Sequence, residues 1–282
     1  PMAEALLHHQ DIAKITPDIL GFICERSGSG VLAELLKPER APELKQWLWG
    51  RQVIDLLQEF PIQVSAEEWM GVLKRLQPRL YSISSSPKAQ LGEVQLTVST
   101  VRYDHQGKPR RGVCSTFLAD RSGEIDIPIF VQKSAHFRPP KGADTPMIMV
   151  GPGTGIAPFR GFLHERRSRG DTGRNWLFFG EQHAATDFYY RDEIEGMQRD
   201  GLLSRLSLAF SRDQADKVYV QDRMRQEGAQ LWSWLQEGAH FCVCGDASRM
   251  AKDVDQALRD VVQQHGGMDA DQARAYVQQM AS

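Results

Sequence analysis

Cysteine is scarce in this sequence: four among 282 residues, Cys24, Cys114, Cys242 and Cys244. None belongs to paired Cys-x-x-Cys sets with zinc spacing, and a chain of this length needs no disulfide staples. The usage points to a reducing, cytoplasmic setting. Long apolar runs are missing too, since nothing approaches the roughly 20 residues that a membrane helix needs. Neither charge is in surplus: 34 Lys+Arg against 36 Asp+Glu leave a net charge of −2. That balance excludes a whole-molecule attraction to nucleic acid or to an anionic membrane. The opening Pro1-Met2-Ala3-Glu4 has neither the basic start nor the apolar stretch of a signal peptide, and it reads as an internal piece of a longer chain.

What is present suits two domains with sizeable cores, at 41% hydrophobic and 25% charged residues. Residues 1–78 read as helical. Ile19, Ile23, Leu32, Leu35 and Leu36 lead into a denser helical stripe over Trp47–Leu57, and Ser65-Ala-Glu-Glu68 is a capping box opening a further helix through Leu76. The period then changes to two over Val94–Ser99 and Ile125–Val131, the pattern of short antiparallel strands in a small barrel or sandwich. Phe137–Asp144 is the best linker. After it, strand and helix alternate: Met147–Val150, Trp176–Phe179, Leu206–Phe210 and Phe241–Cys244 are apolar strands, and the clearest helix runs from Arg249 to about Gln264 before Gly266-Gly267. Such strands predict a parallel sheet covered on both faces. The expected architecture is α+β and multidomain: a helical segment over residues 1–78, an antiparallel β domain over residues 79–140, and an α/β domain over residues 141–282.

Three clusters carry chemistry. Gly151-Pro-Gly-Thr-Gly155 follows a strand directly, so its glycines allow a sharp turn and close backbone approach, and the next helix N-terminus attracts phosphate. It ends in no Gly-Lys-Ser/Thr and lacks a third glycine in GxGxxG register, which leaves a plain strand-to-helix turn as the alternative. Ser211 and Arg212, followed by Lys217, Tyr219 and Gln221, stand at the carboxyl edge of a strand. A hydroxyl, a guanidinium fork and an ammonium suit a phosphate monoester, and the Tyr ring suits a purine; together they point to NADPH over NADH, against the alternative of a solvated charged loop. Arg79-Leu80-Tyr81-Ser82 offers an aromatic ring and a hydroxyl to a flavin, Thr97 and Ser99 share one face of the next strand, and Gly112-Val113-Cys114-Ser115 opens a short helix over Ser115–Ala119 suited to a pyrophosphate.

These motifs, with Gly-Pro-Gly-Thr-Gly-Ile-Ala-Pro-Phe-Arg at 151–160, Ser-Arg-Asp-Gln at 211–214, Lys-Val-Tyr-Val-Gln at 217–221 and Cys-Gly-Asp at 244–246, resemble in content and order the diflavin branch of the ferredoxin-NADP reductase superfamily. Asn175–Gly180 and Gly245–Asp253 are most similar to its sulfite reductase flavoproteins. The resemblance implies an antiparallel FAD-binding β-barrel with a helical insert, then an α/β NADP-binding domain. It implies that Arg79, Leu80, Tyr81 and Ser82 hold FAD, with Tyr81 against the isoalloxazine and Ser82 near its N5. Thr97, Val98, Ser99 and Tyr103 would line the flavin pocket, and Gly112, Val113, Cys114 and Ser115 would take its pyrophosphate. Gly153, Thr154 and Gly155 would accept the NADPH pyrophosphate. Ser211, Arg212, Lys217, Val218, Tyr219, Val220, Gln221 and Asp253 would bind the rest of the dinucleotide. Cys244 would stand beside the nicotinamide, with Ser82 its catalytic companion, while Cys242 reads as a small core residue.

The implied activity is hydride transfer from NADPH to FAD. Electrons would then pass to an FMN-binding flavodoxin-like domain, which this sequence does not contain, and on to a sulfite reductase hemoprotein. A reductase for a haem monooxygenase or another acceptor, or an electron-transfer or assembly module with reduced turnover, are the alternatives. Against the family pattern, the chain begins inside the helical insert, after the first barrel strands, and stops at Met280-Ala-Ser282 inside its last helix, ahead of a terminal aromatic tail. Ala13 stands where the sulfite reductase member has a threonine near the cofactor.

Overall fold

The computed structural model describes residues 1–280, and Ala281 and Ser282, on which the reading of the helix through the chain end falls, lie outside the described residues. The fold is α+β, as expected, and forms two compact units: Pro1–Leu80 with Ser99–Pro128, and Tyr81–Val98 with Ile129–Ser282.

The first unit is mostly helical. Thr16 caps the helix Pro17–Ser27 by accepting from the Ile19 amide at 3.3 Å, and the proline at the first helical position costs no hydrogen bond. Ile19, Ile23, Leu32, Val53 and Leu56 close its core at 0–4% exposure. The stripe over Trp47–Leu57 is not one helix. It divides into Ala41–Leu48 and Val53–Glu59, because Gly50 adopts φ +74° and a side chain there would overlap the His105 ring. The Ser65/Glu68 capping box forms, but its helix stops at Val72 instead of Leu76. The following residues leave the helix to pair backbone with backbone: Asp11 N–H donates to Lys74 O at 2.8 Å and Leu76 N–H to His9 O at 2.8 Å. Strands β1 (Arg102–His105) and β2 (Lys108–Arg111) form an antiparallel hairpin turned by Gln106-Gly107, both at positive φ as that tight turn demands. The helix after it spans Val113–Arg121, longer than the short helix expected.

The antiparallel pairing is smaller than the period-two patterns suggest. Leu96 makes only an isolated bridge to Ile83, and Ile125–Val131 forms no strand. Alternation becomes a strand only against a partner, and among the described residues the latter run has none. Pro128 further removes a donor at its centre. Ile129, Phe130 and Val131 are accordingly 60–73% exposed.

The second unit carries a four-stranded parallel sheet of β3 (Met147–Val150), β4 (Asn175–Glu181), β5 (Arg205–Phe210) and β6 (His240–Val243), in the order β5-β4-β3-β6. All four strands predicted from the sequence are present, shifted by at most a residue or two. One apolar layer (Ile148, Trp176, Phe178, Leu231, Trp234, Val261) packs against the helices Val220–Gln226, Gly228–Gln236 and Met250–Gly266 on one face. The other (Met147, Met149, Phe159, Leu163, Leu177, Phe179) packs under Ile156–Arg169 and Arg191–Arg199. Double-sided burial explains why these strands read as continuous apolar runs. The helix Met250–Gly266 ends where Gly267 takes φ +64°. Phe137 is more than linker: its ring centroid lies 5.9 Å from that of Phe159 and 5.3 Å from that of Phe162. Because β6 returns to the opposite side of β3 from β4, the chain reverses direction across the sheet between β3 and β6. The carboxyl ends of those two strands therefore flank the crevice where open α/β sheets bind ligands.

In the first unit one buried carboxylate ties the helices to the hairpin. Asp55, 6% exposed, accepts from Arg110 Nη2 at 2.5 Å, from Lys108 Nζ at 2.7 Å and from the Gln52 amide at 2.8 Å. Burial pushes this carboxyl up, but the hydrogen bonds and the charge of Arg110 outweigh it and hold it far below the usual carboxylate range. Asp55→Asn is expected to cost on the order of 3 kcal/mol in urea unfolding at neutral pH, because Arg110 is left buried without its counter-charge. Since the folded carboxyl is the stronger acid, its contribution is complete above about pH 4 and is lost as pH falls through the folded-state value. The substituted chain is expected to lose stability less steeply with acid over that range; parallel slopes would reject the role.

Candidate cofactor-binding site

In the second unit the site is built at the β3/β6 crevice. The loop leaving β3 is anchored by Gly151 N–H donating to Phe178 O at 3.0 Å and by Gly155 N–H donating to Pro152 O at 3.0 Å. Gly153 sits at φ +59°, so the turn needs a glycine there. Gly155 is required for a different reason. A Cβ at this position would lie 2.1 Å from the carbonyl oxygen of Cys244, and backbone cannot yield that space. Cys244 in turn donates its amide to Val150 O at 3.0 Å, directly after β6. The glycine loop, the N-terminus of helix Ile156–Arg169 and Cys244 are thus one packed assembly. Thr154 is exposed at its mouth, beside helix amides that have no intrahelical acceptor.

Ser82 belongs to the same unit, and its hydroxyl lies near enough to Cys244 to act on the thiol. Burial pushes the Cys244 thiol up, and the Ser82 hydroxyl partly offsets that push. Cys242 is buried at 5% exposure and is raised by burial alone to about 12, so it is a small apolar filler of the sheet. Two side chains 162 positions apart in the sequence thereby meet at one edge of the crevice. Tyr81 directly precedes Ser82 and is half-buried, while Asp253 is exposed in the first turn of helix Met250–Gly266.

The segment 81–98 is fastened to the helix Ile156–Arg169 by groups that sequence reasoning passed over. Arg160, 8% exposed, donates to Ser84 O at 2.9 Å, to Gln95 Oε1 at 2.6 Å and to Glu193 Oε2 at 2.8 Å. Glu193 also hydrogen-bonds His164. Burial pushes the Glu193 carboxyl up, but His164 and Arg160 bring it below its ordinary value. Ser86 donates to Glu165 at 2.6 Å, and Thr97 and Tyr190 share a hydrogen bond of 2.7 Å. The signal was an arginine inside the apolar stretch Ile-Ala-Pro-Phe-Arg-Gly-Phe-Leu, since a buried guanidinium must have partners.

The loop after β5 begins with Ser211 N–H donating to Glu181 O at 2.8 Å and Arg212 N–H to Gln182 O at 2.9 Å. Asp213 fastens it further, accepting from the Ala184 amide at 2.8 Å and pairing with His183 at 2.9 Å. Arg212, Lys217 and Tyr219 are exposed, and among the described residues neither cation makes an ion pair. That donor set is free for a phosphate. Val218 and Val220 pack inward against the sheet's apolar layer, and Gln221 follows in the first turn of the helix Val220–Gln226.

In the first unit, Arg79 donates to Gln77 O at 2.5 Å and lies 3.6 Å from Asp11, whose carboxylate also accepts from the Ala13 and Lys14 amides at 3.1 Å. Leu80 and Tyr103 are exposed, as is Ser99, and Tyr103 lies on β1. Gly112 precedes the helix Val113–Arg121, whose first amides at Val113, Cys114 and Ser115 have no intrahelical acceptor and suit a diphosphate. Ser115 Oγ is already engaged, accepting from the Val101 amide at 3.1 Å. Among the described residues no group of His, Cys, Asp and Glu could hold a metal ion, and no helix is long and apolar enough to cross a membrane.

A methyl group at Gly155 tests the packed assembly. Gly155→Ala is expected to separate the loop from Cys244, lowering stability by roughly 1–3 kcal/mol and weakening dinucleotide binding at least ten-fold by calorimetric titration. Unchanged affinity would mean that the close approach does not shape the site.

Comparison with known proteins finds two kinds of domain in the chain. Residues 4–117 match the model of an FAD binding domain, and residues 149–256 that of an oxidoreductase NAD-binding domain. The chain is 46% identical over 280 residues to the sulfite reductase (NADPH) flavoprotein alpha-component of Yersinia enterocolitica, covering 99% of this chain and 46% of that protein. It is 47% identical to the protein of that name from Sodalis glossinidius over 99% of the chain and 46% of the relative, and 44% identical to that of Bacillus subtilis over 99% and 47%. The chain therefore spans about half the length of the curated relatives it matches. With a recognised flavin domain, a recognised nicotinamide-dinucleotide domain and near-complete coverage by these relatives, the chain belongs to the flavoprotein reductases of the ferredoxin-NADP reductase type, in the branch that holds the sulfite reductase flavoproteins.

Proposed function

We propose that the chain is an NADPH-dependent flavin reductase module: it receives a hydride from NADPH on FAD and hands the electrons to an FMN-binding flavodoxin-like domain, and through it to a sulfite reductase hemoprotein, in the cytoplasm. The observation that carries this reading is the fastening of the segment after Tyr81-Ser82 to the helix that follows the glycine loop, through Arg160 to Ser84 O at 2.9 Å and to Gln95 Oε1 at 2.6 Å. With Ser82 near Cys244, it sets a flavin-type segment beside a nicotinamide-type strand end. The domain reading over residues 1–78, 79–140 and 141–282 belongs to the same proposal.

When bound, the nicotinamide and isoalloxazine rings supply the hydride chemistry themselves. The residues of this chain bind and orient. Arg212 and Lys217 offer a bidentate fork and a point charge to the 2′-phosphate, with Ser211 as a further donor and Tyr219 beneath the purine. Thr154 and the amides after Gly153 receive the dinucleotide's diphosphate, and Gln221 and Asp253 complete its contacts. In the first unit, the amides of Val113, Cys114 and Ser115 take the flavin diphosphate; Arg79, Leu80, Ser99 and Tyr103 contact the same cofactor. In the second unit, Tyr81 packs on the ring, Thr97 and Val98 line it, and Ser82 and Cys244 hold the reacting edges in register. The gain comes from orientation and from excluding water, not from a proton shuttle. Cys244, held protonated by burial, presents a neutral and weakly polar surface to a ring whose charge changes.

A yellow protein whose flavin absorption bleaches on adding NADPH is the expected basic result, and a chain that takes up no FAD would reject the reading. Ser82→Ala is expected to slow flavin reduction about ten-fold or more in stopped-flow measurements while NADPH affinity stays within about two-fold; equal rates would remove Ser82 from the mechanism. Arg212→Ala is expected to weaken NADPH by one to two orders of magnitude and leave NADH nearly unchanged. An unaltered preference would reject the 2′-phosphate assignment.

A further inference from the structure

Tyr190 stands at φ +58°; among the described residues only Gln106, in the β1–β2 turn, is another non-glycine residue at positive φ. The left-handed region costs a bulky side chain on the order of 1 kcal/mol or more, so contacts must hold it there. The ring packs against the apolar layer under Ile156–Arg169, and its hydroxyl reaches the segment 81–98. The phenol oxygen lies 2.7 Å from Thr97 Oγ1, and the Arg160 guanidinium lies over the ring, 4.7 Å from its centroid. Arg160 is fixed by Glu193, Ser84 O and Gln95 Oε1. Either oxygen can donate in the Tyr190–Thr97 bond; with the more acidic phenol as donor, the threonine's own proton is left for another acceptor.

We propose that Tyr190 is a positioning residue for the flavin: it fixes the Thr97 hydroxyl as a hydrogen-bond donor toward an acceptor atom of the isoalloxazine edge. This deepens the functional reading above and rests on its placing of Thr97 at the flavin. The Tyr190 carbonyl also accepts from the Ile194 amide at 2.9 Å at the start of the helix Arg191–Arg199, so its left-handed backbone serves the helix end while its ring reaches Thr97.

The test is FAD titration of the flavin-free full chain, followed by fluorescence, with Tyr190→Phe, Thr97→Val, Thr97→Ser and the Phe/Val double substitution. Tyr190→Phe keeps the stack on Arg160 and removes only the hydroxyl. The dissociation constant is expected to rise about five-fold in Tyr190→Phe and in Thr97→Val, and no further in the double variant, because both remove one hydrogen-bond chain. Thr97→Ser is expected to keep the original affinity, and NADP+ affinity should stay level throughout. An unchanged constant in Tyr190→Phe, or additive losses of about twenty-five-fold in the double variant, would overturn the inference while leaving the reductase reading intact. An unsubstituted chain that binds NADP+ but no FAD would overturn that reading, and this inference with it.

Discussion

Gly155 and the Cys244 carbonyl occupy space that no side chain could share, and the site of the second unit is organised around that contact. It brings the glycine loop after β3 onto the end of β6, two strands adjacent in the sheet but 90 residues apart in the chain. The amides after the glycine loop and the Cys244 thiol then stand at neighbouring strand ends without a loop long enough to wander. The buried Arg160 cluster adds the segment 81–98 to this assembly, with Ser82 near the Cys244 thiol. A hydride passes only between atoms held within a few tenths of an ångström of the reactive geometry, so a site made from backbone packing and buried ion pairs suits the task better than one made from mobile surface groups.

Charge is placed with the same economy. The cations proposed for a phosphate, Arg212 and Lys217, are exposed and make no ion pair among the described residues. Those that hold the fold are buried with partners: Arg160 with Glu193, Arg110 with Asp55. Asp213 lies between the two classes, anchoring the loop after β5 through the Ala184 amide and His183 instead of neutralising its cations. An overall charge near zero therefore hides a sorted distribution, which composition alone does not report.

The parallel half of the fold was legible because its strands are buried on both faces and read as short apolar runs ended by glycines, as in Met147–Val150 and His240–Val243. The glycine loop and the Ser211–Tyr219 loop were legible for the same reason, since each follows such a run. The antiparallel half was less so. Ile125–Val131 alternates cleanly, yet period two says only that a strand could form, and the partner that would make it one is a long-range property. The helix break at Gly50 depends on a His105 ring 55 residues away, and the stop at Val72 on backbone pairing with residues 9–11. Of the site, residue types at strand ends could be read locally. Arg160, Glu193 and Tyr190 act through partners contributed by other elements, and only a charge in an apolar helix hinted at them.

The account comes down to two flat rings lying face to face between Ser82 and Cys244. A crystal structure of the FAD-loaded chain soaked with NADP+ measures this directly. The account predicts the nicotinamide against the isoalloxazine, its reactive carbon about 3.5 Å from the flavin nitrogen that takes the hydride, with the Ser82 hydroxyl and the Cys244 sulfur both touching the ring pair. Rings bound at separate places, with Cys244 packed against protein alone, would contradict it.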